Sequence, residues 1–125
     1  MKNKIKSFED ACKALGIEPT VPEFTGIEES ERKALLAHYK LTVIARALNE
    51  GWKPNWNDWN EWKYYPWFRM GDNGGSPGVG FSFGGYDGGH SHSSVGSRLC
   101  FKTEELAEYA GKQFEDLYKD YFLMQ

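Results

Sequence analysis

An α+β domain is what this sequence predicts: a three-stranded antiparallel meander packed on one face by helices, in the element order ααβββα. Three observations carry that expectation. Two stretches before residue 50 have helical apolar periodicity, three later stretches alternate apolar with polar residues across hairpin-length connections, and an amphipathic segment closes the chain. No βαβ unit is visible. The 125 residues suit a single domain, residues 1–125, burying about two-thirds of the surface of its unfolded chain.

Ser7 precedes FEDACKAL, in which Phe8, Ala11, Cys12 and Leu15 share a face. Ser7 is the expected N-cap, Asp10 completes a capping-box-like pair, and Gly16 supplies the left-handed stop. IEPTVPEFTGIEES, punctuated by Pro19, Pro22 and Gly26, is an extended connector whose Ile17, Val21 and Phe24 are expected to lie on the core. Glu29 to Asn49 is helical and apolar over most of its circumference, with a narrow polar strip near His38, Thr42 and Asn49, as in a central helix. No carboxylate or second histidine lies three or four residues from His38, so it is expected at the edge of the core and not in a metal site.

Gly51 to Phe68, GWKPNWNDWNEWKYYPWF, holds all five tryptophans. Trp56, Trp59 and Trp62 recur every three residues, the spacing of a 3₁₀ or single α turn opened by Asn55, and Trp52 to Trp62 is expected to lock the second helix to the sheet. Lys63 to Met70 then alternates, with Tyr65, Trp67 and Arg69 on one face and Tyr64, Pro66, Phe68 and Met70 on the other. Pro66 cannot donate to a ladder, which places this strand at a sheet edge or a bulge.

Gly71 to Gly89 contains nine glycines. Within it VGFSFG sets Val79, Phe81 and Phe83 against a nearly bare face of Gly80, Ser82 and Gly84, while GDNGGSPG and GGYDGGHSHSS are expected as loops. Val95 to Phe101 supplies the third strand. Thr103 caps one last helix, whose apolar arc runs from Leu106 to Tyr121 and whose pairs Glu108 with Lys112 and Glu115 with Lys119 lie opposite.

A formal charge of −3 and a pI near 5.6 give no overall footprint for duplex nucleic acid or an anionic membrane. No apolar run approaches the roughly 20 residues of a membrane span, and no secretory h-region follows the N-terminal lysines, so a cytoplasmic protein is expected. Cys12 and Cys100 are far apart without a CxxC, as suits reduced thiols, with Cys12 a buried small hydrophobe. The glycine tract lacks both GxxxxGK[ST] and GxGxxG, which argues against a nucleotide cradle. His90 and His92 beside Asp87 lack further metal ligands and read as a solvated loop; neither a metal nor a cofactor is expected. Ser94 and Ser97 have no GxSxG elbow, and no catalytic set is assigned.

The aromatic stretch is the stronger functional signal. Tryptophans interleaved with Asn55, Asn57, Asn60, Lys53 and Lys63 have the chemistry of faces that stack on sugars, bases or partner side chains. With aromatics at 16% of residues the core must also draw on them, so most rings are expected inside and one or two outside.

VGSRLCFKTEELAEYAGKQFEDLYKDYF together with ALNEGWKPNWNDWNEWKYYPWF resembles a family of small uncharacterised proteins encoded by phages, prophages and mobile elements of gut Bacteroides-type bacteria. The resemblance spans nearly the whole chain outside Asp72 to Ser94. It implies an accessory or host-interaction role and carries over no catalytic residue.

The expected function is therefore a non-enzymatic binding module, contacting a protein partner or a second copy of itself through Trp59, Trp62, Tyr65, Trp67, Arg69 and Arg98. The bare glycine face and an unprotected sheet edge motivate it. The alternatives are carbohydrate stacking on the same rings, or single-stranded nucleic acid held by Trp67, Tyr65 or Phe68 with Lys63, Arg69 and Arg98 on phosphates. The acidic charge does not favour nucleic acid.

Overall fold

The structure, a computed structural model, describes residues 4–70, 81–96 and 98–123. Among them the chain forms α1 (Phe8–Leu15), α2 (Glu29–Asn49), β1 (Lys63–Arg69), β2 (Ser82–Gly89), a 3₁₀ turn (Ser93–Val95), α3 (Glu104–Gln113) and α4 (Glu115–Phe122). The α+β class stands, but among the described residues the sheet has two antiparallel strands where three were expected.

The local start and stop signals act as read. Ser7 Oγ accepts the Asp10 N–H at 3.1 Å, while the Asp10 carboxylate reaches back to the Lys6 N–H at 3.0 Å, one residue before the cap. Gly16 is left-handed at φ 71, and Thr103 Oγ1 accepts the Leu106 N–H. The core joins Phe8, Ala11 and Cys12 of α1 to Leu41, Val43, Ile44, Ala45 and Leu48 of α2 and to Phe101, Ala107, Ala110, Phe114 and Tyr118. The central position expected for α2 follows, since it packs against α1, α3 and α4. His38 is half-buried and stacks on Tyr121 at 5.1 Å.

Four expectations need correction. Ile17 and Val21 are exposed, because the connector is tied to α2 instead by Arg32, which donates to the carbonyls of Phe24 and Ile27 and pairs with Glu29. Asn49 leaves the polar strip of α2 for the interior. The last helix breaks at Phe114, whose backbone (φ −113, ψ 29) departs from helical values and whose ring enters the core. Among the described residues Glu115 makes no ion pair with Lys119; its carboxylate accepts the Phe83 N–H at 2.5 Å instead, while Glu108 and Lys112 do pair at 3.2 Å.

The sheet differs most. Val79 and Gly80 lie outside the described residues, and β2 extends through GGYDGG, expected as a loop. Glycines can serve as strand here because β1 rings fill the space above them: Trp67 lies over Gly84 and Gly85, and Trp62 and Tyr64 over Gly88. A β-bulge between Trp67 and Phe68 skips Gly84 in the pairing. Val95–Phe101 is not a strand. Its alternation is met at two points, Val95 buried against Gly89 and Phe101 bridged to Tyr64 through two backbone hydrogen bonds (3.0 and 2.7 Å), while Ser97 lies outside the described residues.

Candidate functional site

The three-residue tryptophan spacing has a cause other than a turn packed inwards. Lys63 opens β1 and is fully buried, although a lysine rarely is. Its Nζ donates to the carbonyls of Asn55 (3.0 Å), Asp58 (3.3 Å) and Glu61 (3.3 Å), and lies 3.4 Å from the Glu61 carboxylate and 3.5 Å from Ser91 Oγ. Carbonyls at every third residue thus converge on one ammonium. The loop's amides are held by its own side chains, since Asn55 N–H donates to Glu61, Asn57 N–H to Asn55 and Asn60 N–H to Asp58.

With the carbonyls of residues 55, 58 and 61 turned inwards, the side chain after each turns out. Trp56, Trp59 and Trp62 are 37%, 62% and 50% exposed. Trp56 lies over the ammonium, 5.0 Å from ring centre to Nζ. The expectation that most of these rings are core is overturned, for a loop wound round a buried cation has no inside left for its tryptophans.

β1 carries the outward rings onward. α3 covers the Pro66 and Phe83 face, with Gly111 against both. Among the described residues no helix covers the opposite face of Tyr65, Trp67 and Arg69. Trp67 is 42% exposed and lies flat on Gly84 and Gly85, where a Cβ on Gly84 would come within 2.2 Å of the indole. Gly84→Ala is accordingly expected to lift Trp67 off the sheet at a cost of about 1–3 kcal/mol. Urea titration and iodide quenching of tryptophan emission check it. In a Trp67→Ala background the same change should cost almost nothing; a full cost there would show that Trp67 is not the obstacle.

Tyr65 is half-buried, and burial followed by the Asp87 charge pushes its hydroxyl pKa up. Arg69 and Arg98 are exposed. The six expected residues therefore fall in groups: Trp59 and Trp62 on the lysine-centred loop, Tyr65, Trp67 and Arg69 on the outer sheet face, and Arg98 beyond the 3₁₀ turn. Two residues of the nucleic-acid alternative are inside, Lys63 as described and Phe68 at 9% exposure among Phe81, Phe83 and Tyr118.

Composition hid a second cluster. At the loop end of the helix-side face, Trp62 and Tyr64 are nearly parallel (6.4 Å, 21°), Tyr86 stands across Tyr64 (6.3 Å, 73°), and His90 backs Trp62 at 4.2 Å. The Tyr86 hydroxyl donates to Glu104 Oε2 at 2.6 Å. Tyr86 was expected in a loop, and only the i, i+2 spacing of Trp62 and Tyr64 signalled a shared face.

Among the described residues both sheet edges are interrupted. Tyr64 directs its N–H and C=O to Phe101, so Pro66, two residues on, presents to that edge a position with no N–H. On β2, Phe83 N–H is taken by Glu115 and Gly88 N–H by the Asp87 side chain at 2.7 Å. Among the described residues such carboxylate and proline blocking at Pro66, Phe83 and Gly88 disfavours strand addition, where an unprotected edge was expected from sequence.

Other chemistry is sparse. Among the described residues no group of three or more His, Cys, Asp and Glu could hold a metal ion, and His92 Nδ1 pairs with Ser94 Oγ at 2.6 Å. Cys12 and Cys100 are buried, and burial pushes the Cys100 thiol up to about 11, which suits a packed side chain and not a nucleophile. A cleft of about 360 Å³ between connector and α2 is lined by Pro22, Phe24, Arg32 and Leu36, but the Arg32 donors that border it already serve Phe24, Ile27 and Glu29. Among the described residues no helix is long and apolar enough to cross a membrane. No protein-family model, curated protein or solved structure matches the chain.

Proposed function

We propose that this protein is a non-enzymatic binding module that holds a protein partner on its outward tryptophans, acting in the bacterial cytoplasm as an accessory factor of a phage or mobile element. The observation that carries it is that Trp56, Trp59, Trp62 and Trp67 are all outward, with Trp56 over the buried ammonium and Trp62 and Trp67 against glycine backbone. Rigid, flat side chains with one face already packed bind at little entropic cost, and tryptophan, tyrosine and arginine dominate interface energetics. The mobile-element context rests on the resemblance alone.

A protein is favoured over a nucleic acid because Lys63 spends its charge internally, leaving Arg69 and Arg98 of the three expected phosphate contacts on a chain whose net charge is −3. It is contact through side chains and not strand addition, given the blocked edges.

Photo-crosslinking in the native host, with p-benzoylphenylalanine at position 59 or 67, tests the proposal. A defined protein captured from both positions, and not from position 13 on α1, is the expected result. Trp59→Ala should abolish capture from position 67 while moving stability by less than about 0.5 kcal/mol, as for an exposed residue. No capture, or capture indifferent to Trp59→Ala, would count against the assignment.

A further inference from the structure

The corner at the loop end of the sheet has a chemistry that selects its occupant. Trp62 and Tyr64 stack nearly parallel, both against Gly88, and form a floor that a side chain at that position would crowd at 3.1 Å. Tyr86 stands across it as a wall, and its hydroxyl is anchored to Glu104 Oε2, leaving Oε1 for another donor. Trp62 and Tyr86 are 50% and 39% exposed, and Glu104 is exposed, so the corner opens to solvent.

The local field is negative. The Tyr86 hydroxyl is held above its ordinary pKa first by the hydrogen bond to Glu104, then by desolvation, and further by the charges of Glu104, of Glu108, which also pairs with Lys112, and of Glu105 on α3. Aromatic faces are themselves negative at their centres, so floor, wall and carboxylate all favour a cation. A second copy docked by the same patch would set these carboxylates against their own equivalents, which argues against self-association here.

We infer that this corner takes the guanidinium or ammonium group of an arginine or lysine side chain on the partner. This rests on the protein-partner reading and names what that partner must present. The cation lies on the Trp62 and Tyr64 floor, edge-on to Tyr86, and donates to Glu104 Oε1.

The probe is an acetylated, amidated glycine-serine heptapeptide bearing arginine and lysine, compared with its citrulline and acetyl-lysine counterpart. The charged peptide is expected to shift the ring resonances of Trp62, Tyr64 and Tyr86 and to bind about tenfold more tightly than the neutral one. Glu104→Gln and Tyr86→Ala should each weaken it about fivefold, whereas Glu18→Gln on the connector, an equal change in net charge, should not. Equal binding of the two peptides, binding of neither, or an equal loss in Glu18→Gln would overturn the inference. If a crosslinked partner still binds Tyr86→Ala and Glu104→Gln, the corner assignment fails and the binding-module assignment stands. If the charged peptide binds as expected but no partner is captured, the reverse holds.

Discussion

Lys63→Met is expected to cost about 3–5 kcal/mol, the scale of breaking a buried charge cluster by removing one member. Methionine fills much the same volume, so packing changes little and the loss is electrostatic. Three carbonyls of the 55–61 loop and the half-buried Glu61 carboxylate would point at a thioether that cannot donate. The loop has no other centre that gathers its carbonyls: two of its remaining hydrogen bonds close individual turns, and the one that spans it, from the Asn55 N–H to the Glu61 carboxylate, ends on the same side chain that Lys63 neutralises. Its unwinding should release Trp56 and Trp59, so emission moves to the red before the main unfolding transition. Lys63→Arg should not rescue, because a planar fork does not serve acceptors arranged round a point. Against a total stability of about 5–15 kcal/mol, urea midpoints read the effect directly. A change under about 1 kcal/mol with an unaltered spectrum would mean that the loop holds itself.

This residue marks where the sequence stops being legible. Helix caps at Ser7, Gly16 and Thr103 could be read because each depends on neighbours within four residues, and α2 because its periodicity is long. A lysine opening a strand looks like a solvated charge, and only convergence of carbonyls two to eight residues earlier makes it an anchor. β2 was obscured for a related reason. GGYDGG has poor strand propensity of its own, and the strand is held by rings on β1 that occupy what its glycines leave empty. Tyr86 therefore passed as a loop residue, and the corner with Trp62, Tyr64 and Glu104 could not be assembled. The alternation of Val95–Phe101 in sequence does not survive as burial, since Cys100 and Phe101 are adjacent and both buried while Leu99 is only partly so. What these cases share is a long-range partner that decides the local state.

The same dependence makes Asn49 the second position of large effect. It ends α2 at 6% exposure, and its side-chain amide does the work of a strand: Nδ2 donates to the Cys100 carbonyl at 3.0 Å and Oδ1 accepts the Lys102 N–H at 3.1 Å. Between those residues Phe101 pairs its backbone with Tyr64. Asn49 therefore joins the helical part of the chain to β1 through one segment, and the floor of the aromatic corner is the far end of that link. Asn49→Ala removes the amide that serves the buried Cys100 carbonyl and the part-buried Lys102 N–H, and about 2–4 kcal/mol of stability should be lost. Asn49→Asp is the sharper test, because it keeps the acceptor for Lys102 but turns an oxygen towards the Cys100 carbonyl. It should cost nearly as much as alanine at neutral pH. Amide exchange of Tyr64, Phe101 and Lys102 should accelerate together in both variants, while that of Asp10 and Ala11 in α1 should follow only the global loss. If Asn49→Ala costs under about 0.5 kcal/mol, or if Tyr64 keeps its protection, then Phe101 is held by its own burial and the amide clamp is incidental.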